Sequence, residues 1–195
     1  GIVMMFPSQR GGNDNPGTKE AFLGEVEDVV SAAAFLAKQP HVDPERIYLG
    51  GHSTGGTLAL LVSEYTTRFR AVFSFGPVCD PRNYGPDQTP YSRKDLKEVR
   101  LRAPELWLHS IQSPTFVFEG SDQPGNQEQL RRMAQLNKNE KCRFYVVKNA
   151  NHFNLLSPIN RLLAERIKAD DGPASNISLT DEEANGAFVR YQPKP

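Results

Sequence analysis

Short unbroken apolar runs alternate along this chain with longer stretches in which apolar residues return every three or four positions. Residues 2–6 (Ile-Val-Met-Met-Phe), 46–50, 71–75, 115–119 and 143–147 are of the first kind. They predict strands of a parallel sheet, buried on both faces. Phe22, Val26, Val29 and Ala33 are of the second kind and predict a helix over residues 18–38. Leu58, Leu61, Val62 and Tyr65 mark another helix, apolar enough to be buried on most sides, and further helices are expected over 128–136 and 158–168. Residues 95–111 read as helical pieces broken around Pro104. A glycine- and asparagine-rich loop fills 11–17, Asp43-Pro44 is a turn signal, and 76–93 is irregular. Strand and helix in alternation predict an α/β fold, a mostly parallel sheet with helices on both faces. Beyond residue 169 the composition turns polar. Residues 1–169 are therefore expected to form one domain and 170–195 a loosely attached tail, in which Thr180 and Glu183 have the spacing of a capping box for one short helix.

Composition narrows the function classes. The 195 residues suffice for one well-buried domain. Lys plus Arg and Asp plus Glu are 23 each, so no net field favours nucleic acid or an anionic membrane, and basic residues do not interleave with aromatics along one face. No stretch approaches the ~20 apolar residues of a membrane span. The two cysteines, Cys79 and Cys142, make neither a disulfide framework nor a zinc pattern, and fit a reducing, cytoplasmic setting. The first residues already read as a buried strand without an initiator methionine, so the chain is expected to be a piece of a longer protein, with any targeting segment upstream.

Chemistry concentrates where the 46–50 strand meets the next helix, in Gly50-Gly51-His52-Ser53-Thr54-Gly55-Gly56-Thr57. A dinucleotide fingerprint would need glycine at Ser53. A phosphate-binding loop would need lysine at Gly56. A nucleophile elbow fits every position, with Gly51 and Gly55 as the small neighbours a tight turn demands and the Thr54 N–H placed to meet an oxyanion. The bland alternative is a glycine-rich turn in which Ser53 merely caps the helix.

A serine hydroxyl needs a base. Of His41, His52, His109 and His152, only His152 follows a strand on the carboxyl edge that also carries Ser53. His52 adjoins the serine and is expected to pack or hydrogen-bond locally. The acid that orients the base belongs after the 115–119 strand, where Asp122 stands, with Glu119 and Glu128 as substitutes. Ser53, Asp122, His152 is then the chain order found in α/β-hydrolases.

These residues resemble the catalytic domain of the prolyl oligopeptidase family of serine hydrolases over residues 1–170. The similarity is carried by Gly24 to Asp28, by Val42-Asp43-Pro44-Glu45-Arg46-Ile47 leading into the elbow, by Ser113-Pro114-Thr115 and by Asn151-His152-Phe153. The resemblance implies an α/β-hydrolase fold lacking its N-terminal strands, and a peptidase or carboxylesterase acting on a small ester or peptide through an acyl-enzyme, with no cofactor or metal. It leaves room for a homo-oligomer. It departs in two ways: the family's acid comes three residues after the strand-end glycine whereas Asp122 is two after Gly120, and the family's second oxyanion donor and an intervening strand lie upstream of residue 1. Exposed strand edges follow from the second. A non-enzymatic binding module on the same fold is the rival reading.

Overall fold

The structure is a computed structural model that describes residues 1–191; the last four residues of the expected tail, 192–195, lie outside the described residues. Four strands, β1 (Tyr48–His52), β2 (Ala71–Phe75), β3 (Thr115–Gly120) and β4 (Cys142–Val147), form one parallel sheet in the order β1-β2-β3-β4. α1 (Leu23–Leu36) precedes them, and α2 (Thr54–Tyr65), α3 (Leu96–Leu101), α4 (Gln127–Leu136), α5 (Leu156–Ala169) and α6 (Asp181–Tyr191) run between and after them. The parallel sheet with helices on both faces is as expected, and the broken helix over 95–111 resolves into α3 and two 3-10 turns.

Alternation along the strands assigns the layers. Phe73, Phe75, Phe116, Phe118 and Tyr145 share one face and pack against α5 and α6. Their rings stack across neighbouring strands, Phe75 on Phe118 at 5.3 Å and Phe118 on Tyr145 at 5.1 Å between centroids. Val72 on the other face joins Val26, Val29, Leu58 and Val62 of α1 and α2, while Val117 meets Leu60, Leu130 and Met133. β2 and β3 are buried throughout.

Two expectations are corrected. Residues 2–6 form no strand, and Phe6 is 85% exposed and Met4 69%. A parallel strand exists only beside a hydrogen-bonding neighbour. β1 pairs on one side only, with β2, and among the described residues no strand pairs with its other edge. The second correction concerns the tail, which is anchored at Asp170 and again along residues 177–188. Asp170, with no exposed side chain, takes two guanidinium hydrogen bonds from Arg70 at 2.8 Å and the Tyr48 hydroxyl at 2.7 Å. Ile177, Leu179, Ala184, Ala187 and Phe188 enter the core beside α5. The capping box is formed: the Glu183 N–H donates to Thr180 Oγ1 at 3.1 Å and the Thr180 N–H to Glu183 Oε2 at 2.9 Å. Its polar composition hid this attachment, because a few apolar residues at helical spacing suffice to dock a short helix.

Candidate active site

The elbow is built by close approaches of backbone. Ser53 has φ 57° and ψ −117°, a conformation few side-chain-bearing residues adopt. Its N–H donates to Phe75 O at 2.8 Å, carrying the β1–β2 ladder one step past the strand end. A Cβ on Gly51 would lie 2.0 Å from Gly55 O, and one on Gly56 2.3 Å from Phe75 O. Both glycines are thus required by space. Gly55 is different: a Cβ there meets nothing within 4 Å, so the crowding expected at Gly55 falls on Gly56. Thr54 is the first residue of α2, and its N–H belongs to the free end of that helix.

Below the elbow, buried Thr57 Oγ1 accepts the Val78 N–H at 3.0 Å and lies 2.8 Å from the Tyr84 hydroxyl. Tyr84 packs on Phe22 at 5.7 Å between ring centroids. Arg102 is buried, donates to Ala21 O at 2.7 Å and lies over the Tyr91 ring. The irregular segment 76–93 is therefore tied to α2 and to the entry of α1. A cavity of about 460 Å³ lies between α1, α2 and the 3-10 turns, bordered by Phe22, Leu61, Leu101 and Trp107; Ser53, Tyr84 and Tyr91 do not line it.

His152 arrives on the loop after β4 and is buried. Its Nδ1–H donates to Glu119 Oε2 at 2.8 Å. Glu119 has no exposed surface and sits within β3 itself. The same carboxylate accepts the Asn126 N–H at 2.8 Å and the Gly120 N–H at 2.7 Å. Three N–H groups thus satisfy a charge that burial would otherwise penalise. The imidazole lies against Gly76, where a Cβ would fall 2.3 Å from His152 Cε1; Gly76 directly follows the residue whose carbonyl holds Ser53. His152 therefore lies against residues on either side of the Ser53–Phe75 bond, and among the described residues no hydrogen bond joins the Ser53 hydroxyl to the ring.

Asp122 does not take the place expected of it. It is exposed, and its carboxylate accepts from the Ser121 hydroxyl at 2.8 Å. The ring it was expected to orient is held by Glu119, the first of the two substitutes; Glu128 is exposed on α4. The offset of Asp122 from Gly120 was one signal. The other was a glutamate continuing the run Thr115-Phe116-Val117-Phe118, since Glu is almost never fully buried without partners.

His52 is half-buried, and burial pushes its pKa down. Its Nε2–H donates to His152 O at 2.9 Å, its ring lies 4.4 Å from that of His152, and Phe153 sets its ring edge-on to both. Local packing was expected of His52; that its partner would be His152 was not. Of the remaining histidines, His41 lies in the loop before β1 and His109 in a 3-10 turn. Cys79 bonds Gln129 and burial raises its thiol pKa to about 12, so it is no nucleophile at neutral pH.

Comparison with known proteins now settles the kinship. The model of the prolyl oligopeptidase family matches residues 1–165. The chain belongs to that family. An uncharacterized peptidase of Bacillus subtilis, YtmA, is 28% identical over 138 residues, covering 62% of this chain and 51% of its own. An acylaminoacyl peptidase of Pyrococcus horikoshii superposes with a TM-score of 0.65 at 16% identity, over 84% of this chain and 30% of the other. A puromycin-hydrolyzing peptidase of Mycobacterium tuberculosis gives 0.58 at 20% identity, over 68% and 22%. These structures share the α/β-hydrolase fold. The chain spans about half the length of the Bacillus relative and under a third of the two solved proteins. Among the described residues, no helix is long and apolar enough to cross a membrane.

Proposed function

We propose that the protein is a serine hydrolase that cleaves a small ester or a peptide amide through an acyl-enzyme. The observation that carries this is the buried His152–Glu119 pair set against the backbone that holds a strained Ser53. Ser53 Oγ attacks the carbonyl carbon as His152 Nε2 takes its proton; the carbonyl π pair moves onto oxygen, facing the Thr54 N–H. On collapse the leaving amine or alkoxide takes that proton from His152 and departs. Water, deprotonated by the same nitrogen, then releases the acid and restores the hydroxyl. Glu119, in place of Asp122, keeps Nδ1 protonated and the ring aimed, and stabilises the imidazolium. Membership of a family with peptidase relatives favours peptide substrates, and the reaction requires no cofactor.

The test is covalent labelling of the full-length protein with a fluorophosphonate. Wild type should label and Ser53→Ala should not. Labelling that persists in Ser53→Ala would sink the assignment, and a wild type inert to the probe and to short acyl esters would point to a binding module on this fold.

A further inference from the structure

Three polar groups of His152 determine where its free nitrogen points. Its N–H donates to Pro124 O at 2.9 Å, its Nδ1–H to Glu119 at 2.8 Å, and its carbonyl accepts from His52 Nε2–H at 2.9 Å. Only Nε2 is left uncommitted, the atom the serine requires. Two of these three holds come from the β3 side, through Glu119 at the strand end and Pro124 in the loop after it. The third comes from the residue directly before Ser53.

We propose that His52 is a positioning residue that sets the spacing between nucleophile and base, tying the loop of His152 to the strand that carries Ser53. This rests on the serine hydrolase reading above. Because His52 and Ser53 are consecutive, any shift of the elbow is transmitted to the base through one hydrogen bond and one ring contact 4.4 Å away. The bond to a carbonyl fixes the proton on Nε2 of His52. Burial keeps this ring neutral, so it adds no charge beside the imidazolium that forms on His152. The Phe153 edge closes the outer side of the pair. His52 touches no reacting atom; it acts through His152.

The experiment is a set of substitutions at position 52 in the full-length protein, read by the rate of fluorophosphonate labelling and by kcat and KM for p-nitrophenyl acetate. A glutamine amide reaches as far from the backbone as imidazole Nε2 and an asparagine amide only as far as Nδ1. His52→Gln should therefore stay close to wild type. His52→Asn and His52→Phe should lose roughly 10- to 100-fold in kcat and labelling rate, the scale of a misplacement near 1 Å, with KM little changed. A wild-type rate in His52→Phe, or equal losses in the Gln and Asn variants, would overturn the proposal. Should the Phe variant fail to fold, the Gln and Asn pair decides alone. The Ser53→Ala control separates the two readings: an unreactive wild type removes the hydrolase assignment and this inference with it, whereas a reactive wild type with an indifferent position 52 removes only the inference.

Discussion

A carboxylate with no exposed surface persists in a folded protein only when its charge is answered, and Glu119 is answered by two main-chain N–H groups and one imidazole. Glu119→Gln keeps the shape but offers an amide where the ring needs an acceptor. In a serine triad the matching change costs kcat on the order of 10⁴-fold. The same loss is expected here, while Asp122→Asn should leave kcat unchanged; comparing the two variants with p-nitrophenyl acetate checks the assignment of the acid. Glu64 is the opposite case. Both of its carboxylate oxygens are buried without a partner among the described residues, and burial raises its pKa well above the usual carboxylate range. The folded state then binds a proton that the unfolded state releases, so stability falls as pH rises from about 4.5, the ordinary value, toward the folded one. Glu64→Leu should flatten this slope and raise the unfolding free energy at pH 8. Urea melts of both proteins at pH 4.5 and pH 8 measure it, and an unchanged slope would contradict the burial argument.

At the scale of the element, sequence pattern located what packing decides and missed what partnership decides. The hydrophobic runs of β2, β3 and β4 and the recurrences of α1, α2, α4 and α5 were legible because each element buries its own pattern. The placing of Ser53 on a strand-to-helix turn and of His152 after a strand was legible because the elbow is local and the edge of a parallel sheet follows from topology. The carboxylate that meets the His152 ring was not, since one in the loop and one at the strand end differ only in which the ring reaches. Nor was Arg70, whose bond to Asp170 closes a gap of 100 residues. That pair predicts how the C-terminal elements are held. Asp170→Asn leaves a nearly buried guanidinium without its counter-charge and should cost about 3–5 kcal/mol in a denaturant titration. Arg70 and the other donors hold the Asp170 pKa well below its ordinary value, so this stabilisation is present above that value and drains away on acidification. Thr180→Ala, which opens the capping box of α6, should cost only about 1 kcal/mol.

On the scale of the whole molecule, β1 and β4 are both outer strands, each paired on one side only among the described residues. β4 is flanked by α6, whose Asn185 accepts the Lys148 N–H at 2.8 Å just past the strand end. β1 offers an unpaired edge, and the exposed apolar residues of 2–6 add a second adhesive surface. Open edges beside apolar segments drive association. The 195-residue chain is expected to self-associate with rising concentration in light scattering, and the double change Met4→Lys and Phe6→Lys to weaken it. A monodisperse monomer at high concentration would contradict this.

Glu119 belongs to a strand rather than a loop, and that bears on how the protein fails when heated. Loop-borne groups are lost through local openings at temperatures where the body of the molecule still stands. Here the acid leaves its place only when β3 leaves the centre of the sheet. Inactivation that precedes the calorimetric midpoint should therefore trace to the loop of His152, while displacement of Glu119 should coincide with the transition itself.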